Sequence, residues 1–238
     1  MNLDRPETIA ALIDHTLLKP ESARADVEQV CAEARRASFA SVCINPFWVR
    51  FAIRELEGSP VRVCTVIGFP LGANETGTKV AEARTALAQG ATELDVVQNI
   101  GALRSGEAQI VRDELRQLAD LAHSHGALLK VILETILLSG EEKKASCHLA
   151  AEAGVDFVKT STGFAGGGAT VDDVQLMRSI VGADIGVKAS GGVRTLAALR
   201  EMVQAGANRI GTSSGVSILK ELASDSQSGS SGAGSGSY

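Results

Sequence analysis

Short apolar runs alternate with longer amphipathic segments along most of the chain. The short runs are IDHTL (13–17), SVCIN (41–45), RVCTVIG (62–68), ELDVVQN (93–99), LLKVILE (128–134), FVKTS (157–161), GVKAS (186–190) and RIGTS (209–213). Their length and their β-branched content suit buried strands. Between them lie segments such as KVAEARTALAQG and VRDELRQLADLAHSHG, with apolar residues at helical spacing and a closing Gly. Ser139-x-x-Glu142 and, in a weaker Asp form, Thr170-x-x-Asp173 predict capping boxes at two helix starts. Strand–helix alternation implies parallel pairing through crossover helices. Eight such units in about 220 residues favour one closed (β/α)8 barrel, a TIM barrel, over an open sheet. Residues 5–12 predict a short N-terminal helix covering the barrel floor. Residues 1–223 then form the barrel. Residues 224–238, SDSQSGSSGAGSGSY, bury too little apolar surface to offset ordering entropy and predict a flexible tail ending in Tyr238.

Side chains alternate across a strand, so one parity faces the helices and the other the barrel axis. Leu94, Val96, Leu129, Val131, Leu133, Val158 and Val187 share the helix-facing parity. The other parity collects Asp14 and Thr16, then Ser41, Cys43 and Asn45, then Asp95 and Asn99, then Lys130 and Glu134. It also takes Lys159 and Ser161 in one strand, and Lys188 and Ser190 in the next. A structural barrel core is filled by branched apolar side chains. Buried charges have to be paired or neutralised. A polar interior holding two lysines and an aspartate at matching depth therefore points to chemistry.

Composition narrows the class. The chain has 238 residues, 45% hydrophobic and 21% charged, with a net charge of −5 and no long run of either sign. That argues against nucleic acid or a membrane as the main partner. An aromatic content of 3% leaves little for base stacking. No apolar run reaches the ~20 residues of a membrane span, and the first residues lack a signal-peptide pattern. The four cysteines are scattered without a CxxC, as expected of reduced thiols in the cytoplasm.

Two lysines at equivalent positions on successive strands can bring their amines together. A second cation and desolvation both favour a neutral amine, which can attack a carbonyl and form a Schiff base. Asp95 can move protons directly or through water. No metal or other cofactor is required. His123 and His125 stand two apart on a helix and share no face, so they make no metal pair. After GVKAS comes GGVRT (191–195), and after RIGTS comes SG (214–215). Glycine N–H groups, the Ser213 and Ser214 hydroxyls and two helix starts make an anion site there. In barrels the loops after strands seven and eight often bind phosphate. GANETGTK (72–79) breaks the P-loop pattern at Thr78, and GFAGGG (163–168) lacks dinucleotide-binding spacing. Both read as loops at the barrel mouth.

The blocks SVCINP, TVIGFPLG, ELDVVQNIGAL, LKVILET, FVKTSTGF, GVKASGGVRT and RIGTSSG resemble those of the deoxyribose-phosphate aldolases. The similarity runs from IDHTLLKP to RIGTSSG. The resemblance implies a class I aldolase that reversibly cleaves 2-deoxy-D-ribose 5-phosphate to D-glyceraldehyde 3-phosphate and acetaldehyde. It implies Lys159 as the Schiff-base lysine, Lys188 as its tuning partner and Asp95 as the proton-relay carboxylate. Phosphate binding falls to Gly163, Gly191, Gly192, Gly211, Ser213 and Ser214, while Thr16 and Cys43 border the substrate. Some related aldolases end in a tyrosine that aids proton transfer. Tyr238, on a linker of ~13 residues reaching ~20 Å, stands in that place. A cytoplasmic enzyme of deoxynucleoside breakdown follows, with a homodimer allowed but no interface legible. Gln98 departs from an aliphatic position of the family, and GFAGGGAT departs from GFGPGGAT. The alternatives are another Schiff-base aldolase or transaldolase on a different sugar phosphate, and a non-catalytic phosphosugar-binding barrel.

Overall fold

The computed structural model describes residues 2–230, with side chains through Asp225. The chain opens with helix α1 (Pro6–Ala10), whose Pro6 fills a first-turn position where no N–H is needed. Strand β1 (Ile13–Leu17) follows directly. The units after it are α2 (Arg24–Ala37), β2 (Ser41–Ile44), α3 (Val49–Glu55), β3 (Arg62–Ile67), α4 (Thr76–Ala88) and β4 (Glu93–Val97). Two helices, α5 (Ile100–Arg104) and α6 (Ala108–Ser124), lead to β5 (Leu128–Ile132). Then come α7 (Gly140–Ala153), β6 (Phe157–Lys159), α8 (Val171–Val181), β7 (Gly186–Ser190), α9 (Leu196–Gln204), β8 (Arg209–Thr212) and α10 (Gly215–Ser230).

All eight strands pair in parallel in chain order, and β1 pairs with β8 to close the barrel. The expected strands are all present, several of them one or two residues shorter at the C-terminal end. The parity reading holds. Leu94, Val96, Leu129, Val131, Leu133, Val158 and Val187 are fully buried in the layer between sheet and helices. Each such side chain contributes about 1.5–3 kcal/mol of burial. Inside the barrel, Cys43, Cys64 and Val66 form a small apolar cluster with Leu18 and Phe69, and Val97 and Ile132 are buried on the same inner parity.

Three local expectations change. Ser139 and Glu142 cap α7 reciprocally, as predicted. At α8 only half the box forms: Thr170 accepts the Asp173 N–H, while the Asp173 carboxylate turns to Lys143 Nζ at 2.6 Å. A nearby ammonium is a better partner for a carboxylate than one backbone N–H. GANETGTK is a mouth loop only up to Glu75, because α4 begins at Thr76. Lys79 therefore lies on a helix, buried, and donates to Val97 O at 2.9 Å and to Glu114 Oε1 at 2.6 Å. It ties α4 to β4 and α6. At the C-terminus, α10 continues to Ser230, past the residue where the tail was expected to start. Ile218 and Leu222 anchor this helix by burial. Residues 231–238, and with them Tyr238, lie outside the described residues.

Candidate active site

The C-terminal ends of β6, β7, β8 and β1 converge on a cavity of about 220 Å³. Lys159, the last residue of β6, lines it, together with Thr16 on β1 and Ser190, Gly191 and Gly192 at the end of β7. Gly211, Thr212 and Ser213 close it from β8. Thr162, Gly163 and Phe164 form the wall after β6.

Lys159 and Lys188 are register partners on neighbouring strands, as their equivalent sequence positions require. Their amines meet on one oxygen: Lys159 Nζ lies 2.7 Å and Lys188 Nζ 2.8 Å from Asp95 Oδ2. The other Asp95 oxygen takes Lys130 Nζ at 2.9 Å. Asp95 and Lys188 are fully buried, and Lys159 is 2% exposed. Burial alone would push the Asp95 carboxyl up. The ammonium groups of Lys130, Lys159 and Lys188 outweigh it and hold the carboxyl well below the usual carboxylate range. Burial alone would push Lys188 down, but Asp14 and Asp95 overcome it and hold its ammonium well above the usual lysine value. Lys188 is thus a fixed cation.

Beneath this trio lie Asp14, Ser41 and Lys130, which the sequence placed inside without giving them partners, and Glu93 and Arg209, which it did not single out. Lys188 Nζ sits 2.5 Å from Asp14 Oδ2. Asp14 Oδ1 accepts from Arg209 Nε at 2.9 Å and from Ser41 Oγ at 2.7 Å. Glu93 Oε2 takes Arg209 Nη2 at 2.9 Å and Lys130 Nζ at 2.6 Å. Asp14, Ser41 and Lys130 were visible on the inner parity; Glu93 and Arg209 were not singled out. Their pairing depends on strands far apart in sequence.

Glycine makes room for these chains at two positions. A Cβ on Gly211 would stand 3.1 Å from Lys188 Cε and 2.9 Å from Ser190 Cβ. A Cβ on Gly186 would stand 2.1 Å from the Phe157 ring.

The remaining expected residues divide. Thr16 lines the cavity, its hydroxyl donating to Asp14 O at 2.8 Å. Gly163, Gly191, Gly192, Gly211 and Ser213 line it as well. Ser214 stands behind them, its N–H donating to Thr212 Oγ1 at 2.9 Å. Cys43 is fully buried below the cavity, its sulfur 4.0 Å from Asp95 Oδ2. Lys19, Thr162, Phe164, Arg194 and Thr212 line the cavity without having been singled out in the sequence. Lys19 and Arg194 sit in loops, where no parity identifies them.

Cys43, Cys64 and Asp95 place three metal-ligand atoms within 4.8 Å of one another. A cation there would stand among three ammonium groups that already hold both Asp95 oxygens, so the donor set does not fit one. Gln98 is buried and its side-chain amide donates to Leu133 O at 2.9 Å, bridging β4 to the end of β5.

A family model described as DeoC/LacD family aldolase matches residues 8–224. The chain belongs to the DeoC/LacD aldolase family. This family member is 56% identical over 217 residues to deoxyribose-phosphate aldolase 1 of Bacillus licheniformis, covering 91% of this chain and 97% of that one. It is 56% identical over 213 residues to the deoxyribose-phosphate aldolase of Bacillus subtilis, covering 90% of this chain and 95% of the other. Among solved structures it resembles the deoxyribose phosphate aldolase of Aeropyrum pernix, described as a unique tetramer. The TM-score is 0.87 at 38% identity, over 92% of this chain and 93% of that one.

Proposed function

We propose that this aldolase reversibly cleaves 2-deoxy-D-ribose 5-phosphate to D-glyceraldehyde 3-phosphate and acetaldehyde through a Schiff base on Lys159. One observation carries the reading. Of the four basic side chains gathered inside the barrel, only Lys159 also lines the substrate cavity, and its amine touches Asp95. The relatives named deoxyribose-phosphate aldolase point to the same substrate.

The neutral Lys159 amine adds to C1 of the open-chain sugar and gives a carbinolamine. Loss of water forms the iminium. A base takes the proton of the C3 hydroxyl, C2–C3 breaks, and the electron pair moves into the iminium to make an enamine. Glyceraldehyde 3-phosphate leaves. Protonation at C2 and addition of water then release acetaldehyde and restore the amine. Asp95, held ionised, receives protons from Lys159 and passes them to water. Lys188, held as a cation, keeps positive charge beside the reacting nitrogen without competing as a nucleophile. The sugar phosphate sits against Gly163, Gly191, Gly192 and Ser213, with Ser214 behind them and Lys19 and Arg194 supplying charge. Gly211 contributes chiefly the space through which the Lys188 side chain passes. Thr16 and Cys43 border the sugar end, Cys43 from below. Tyr238 is assigned proton transfer at the enamine, and its removal is expected to slow solvent-proton exchange into acetaldehyde. Unchanged exchange and turnover would remove it from the mechanism. The reaction belongs in the cytoplasm, consistent with four free buried thiols.

A coupled assay for glyceraldehyde 3-phosphate tests the reading. Turnover is expected in the parent and a loss of at least about 10³-fold in Lys159→Leu. Equal turnover in the two proteins would overturn it.

A further inference from the structure

Six side chains inside the barrel close a ring of alternating charge. From Asp95 it runs to Lys130 at 2.9 Å, to Glu93 at 2.6 Å and to Arg209 at 2.9 Å. It returns through Asp14, 2.9 Å from Arg209 Nε, and Lys188, 2.5 Å further on, to Asp95 at 2.8 Å. The members come from β1, β4, β5, β7 and β8, and none lines the substrate cavity. Asp14, Glu93, Asp95, Lys130 and Lys188 are fully buried and Arg209 nearly so. Three carboxylates face three cations, so the fully ionised ring is neutral. Lys159 hangs on the ring at Asp95 Oδ2 alone, an oxygen it shares with Lys188.

We propose that this neutral ring leaves Lys159 as the one unmatched cation of the barrel interior, so that Glu93, Arg209, Lys130 and Asp14 control its charge state without touching substrate. They are positioning residues that act through Asp95 and Lys188. A buried excess charge is costly. The member that can shed it is the one whose loss of a proton leaves every other pair intact. Removing a proton from Lys130 or Lys188 would cost contacts to two carboxylates each and open the ring. Removing one from Lys159 costs a single contact, and Asp95 keeps Lys130 and Lys188. The other polar groups facing this cluster are the Ser41 hydroxyl and Cys43 thiol on β2, the Cys64 thiol on β3, and Arg62, while Lys19 and Arg194 line the cavity that Lys159 faces. Burial holds Cys64 well above the usual thiol range, so it stays neutral, whereas a hydrogen bond with Cys64 draws the Cys43 thiol below its usual value. Arg62 meets Glu93 Oε1 at 3.2 Å from the floor and is 54% exposed, where water screens it.

The inference rests on Lys159 being the Schiff-base lysine, and the test separates the two. The rate of labelling by acetaldehyde and cyanoborohydride is measured against pH, with the adduct located by peptide mass spectrometry. In the parent the adduct is expected on Lys159; an adduct elsewhere overturns the functional reading. Glu93→Gln keeps the shape and removes one negative charge. Lys159 then sheds its proton more readily, and the labelling profile is expected to move to lower pH by about one unit relative to the parent. Asp14→Asn is expected to move it the same way and stands in should Glu93→Gln fold poorly. Arg209→Met, of opposite sign, is expected to move it to higher pH. Glu93→Gln combined with Lys130→Met removes one charge of each sign and is expected to bring the profile back towards the parent. Labelling at Lys159 with profiles that stay in place, or a double variant displaced further than the single, would overturn the ring's role and leave the Schiff-base reading standing.

Discussion

At the scale of single residues, the interior charges meet at Asp95. It is a buried carboxylate shared among three ammonium groups. Replacing it by Asn leaves those cations facing an amide. Breaking a buried ion cluster by removing one partner costs about 3–5 kcal/mol. Asp95→Asn is therefore expected to lower the denaturant midpoint sharply as well as to abolish turnover. A midpoint within experimental error of the parent would contradict the account. The acid limb follows from the same contacts. Lys188, Arg209 and Lys130 overcome burial to hold the Asp14 carboxyl low, as the three lysines do for Asp95. Both carboxyls bind protons less readily in the folded than in the unfolded chain. Their stabilisation is complete above the ordinary carboxylate value of about 4 and disappears as the pH falls below it. Urea midpoints measured down through that range are expected to drop more steeply in the parent than in Asp14→Asn.

At the scale of elements, the end of β5 shows how the wall of the cavity is held. Glu134 has a left-handed backbone, φ 56° and ψ 64°, which costs a non-glycine residue about 1–2 kcal/mol. Around it, Leu133 N–H donates to Lys159 O at 2.9 Å and Thr135 N–H to Thr160 O at 3.0 Å. The buried Glu134 carboxylate accepts both the N–H and the hydroxyl of Thr162, which lines the cavity. Thr162 Oγ1 in turn accepts the Phe164 N–H at 3.0 Å. The strained turn thus aims a carboxylate at the segment following Lys159. Glu134→Gly relieves the backbone and loses the clamp, while Glu134→Ala loses the clamp and keeps the strain. The glycine variant is expected to be the more stable by about 1 kcal/mol in thermal unfolding, with turnover reduced in both. An alanine variant as stable as the glycine variant would argue against strain at this position. Alternation along β5 put Glu134 inside, but a left-handed glutamate has no sequence signal. It persists because two neighbouring N–H groups find partners at the end of β6 and on the residue after it.

At the scale of the whole molecule, the barrel keeps its cavity at the C-terminal ends of its strands and its buried ion pairs below it. Glu93 and Arg209 open β4 and β8, where sequence reading would pass them as strand-end surface charges. Closure of the barrel turns both inward and brings them together. The number of subunits is a property of this scale too. The Aeropyrum pernix relative is described as a tetramer, and light scattering on the purified chain measures the number for this one.

The order of strands and helices, the face each strand turns to the axis, and the depth of Lys159, Lys188 and Asp95 were all determined by sequence, because alternation and helical spacing are local properties of the backbone. Which charge meets which was decided by the tertiary structure. Arg209 finds Asp14 across 195 residues of chain and Glu93 across 116, and only closure of β8 on β1 sets those distances. Burial inside the closed barrel then makes the pairings matter, since water would otherwise screen each of them.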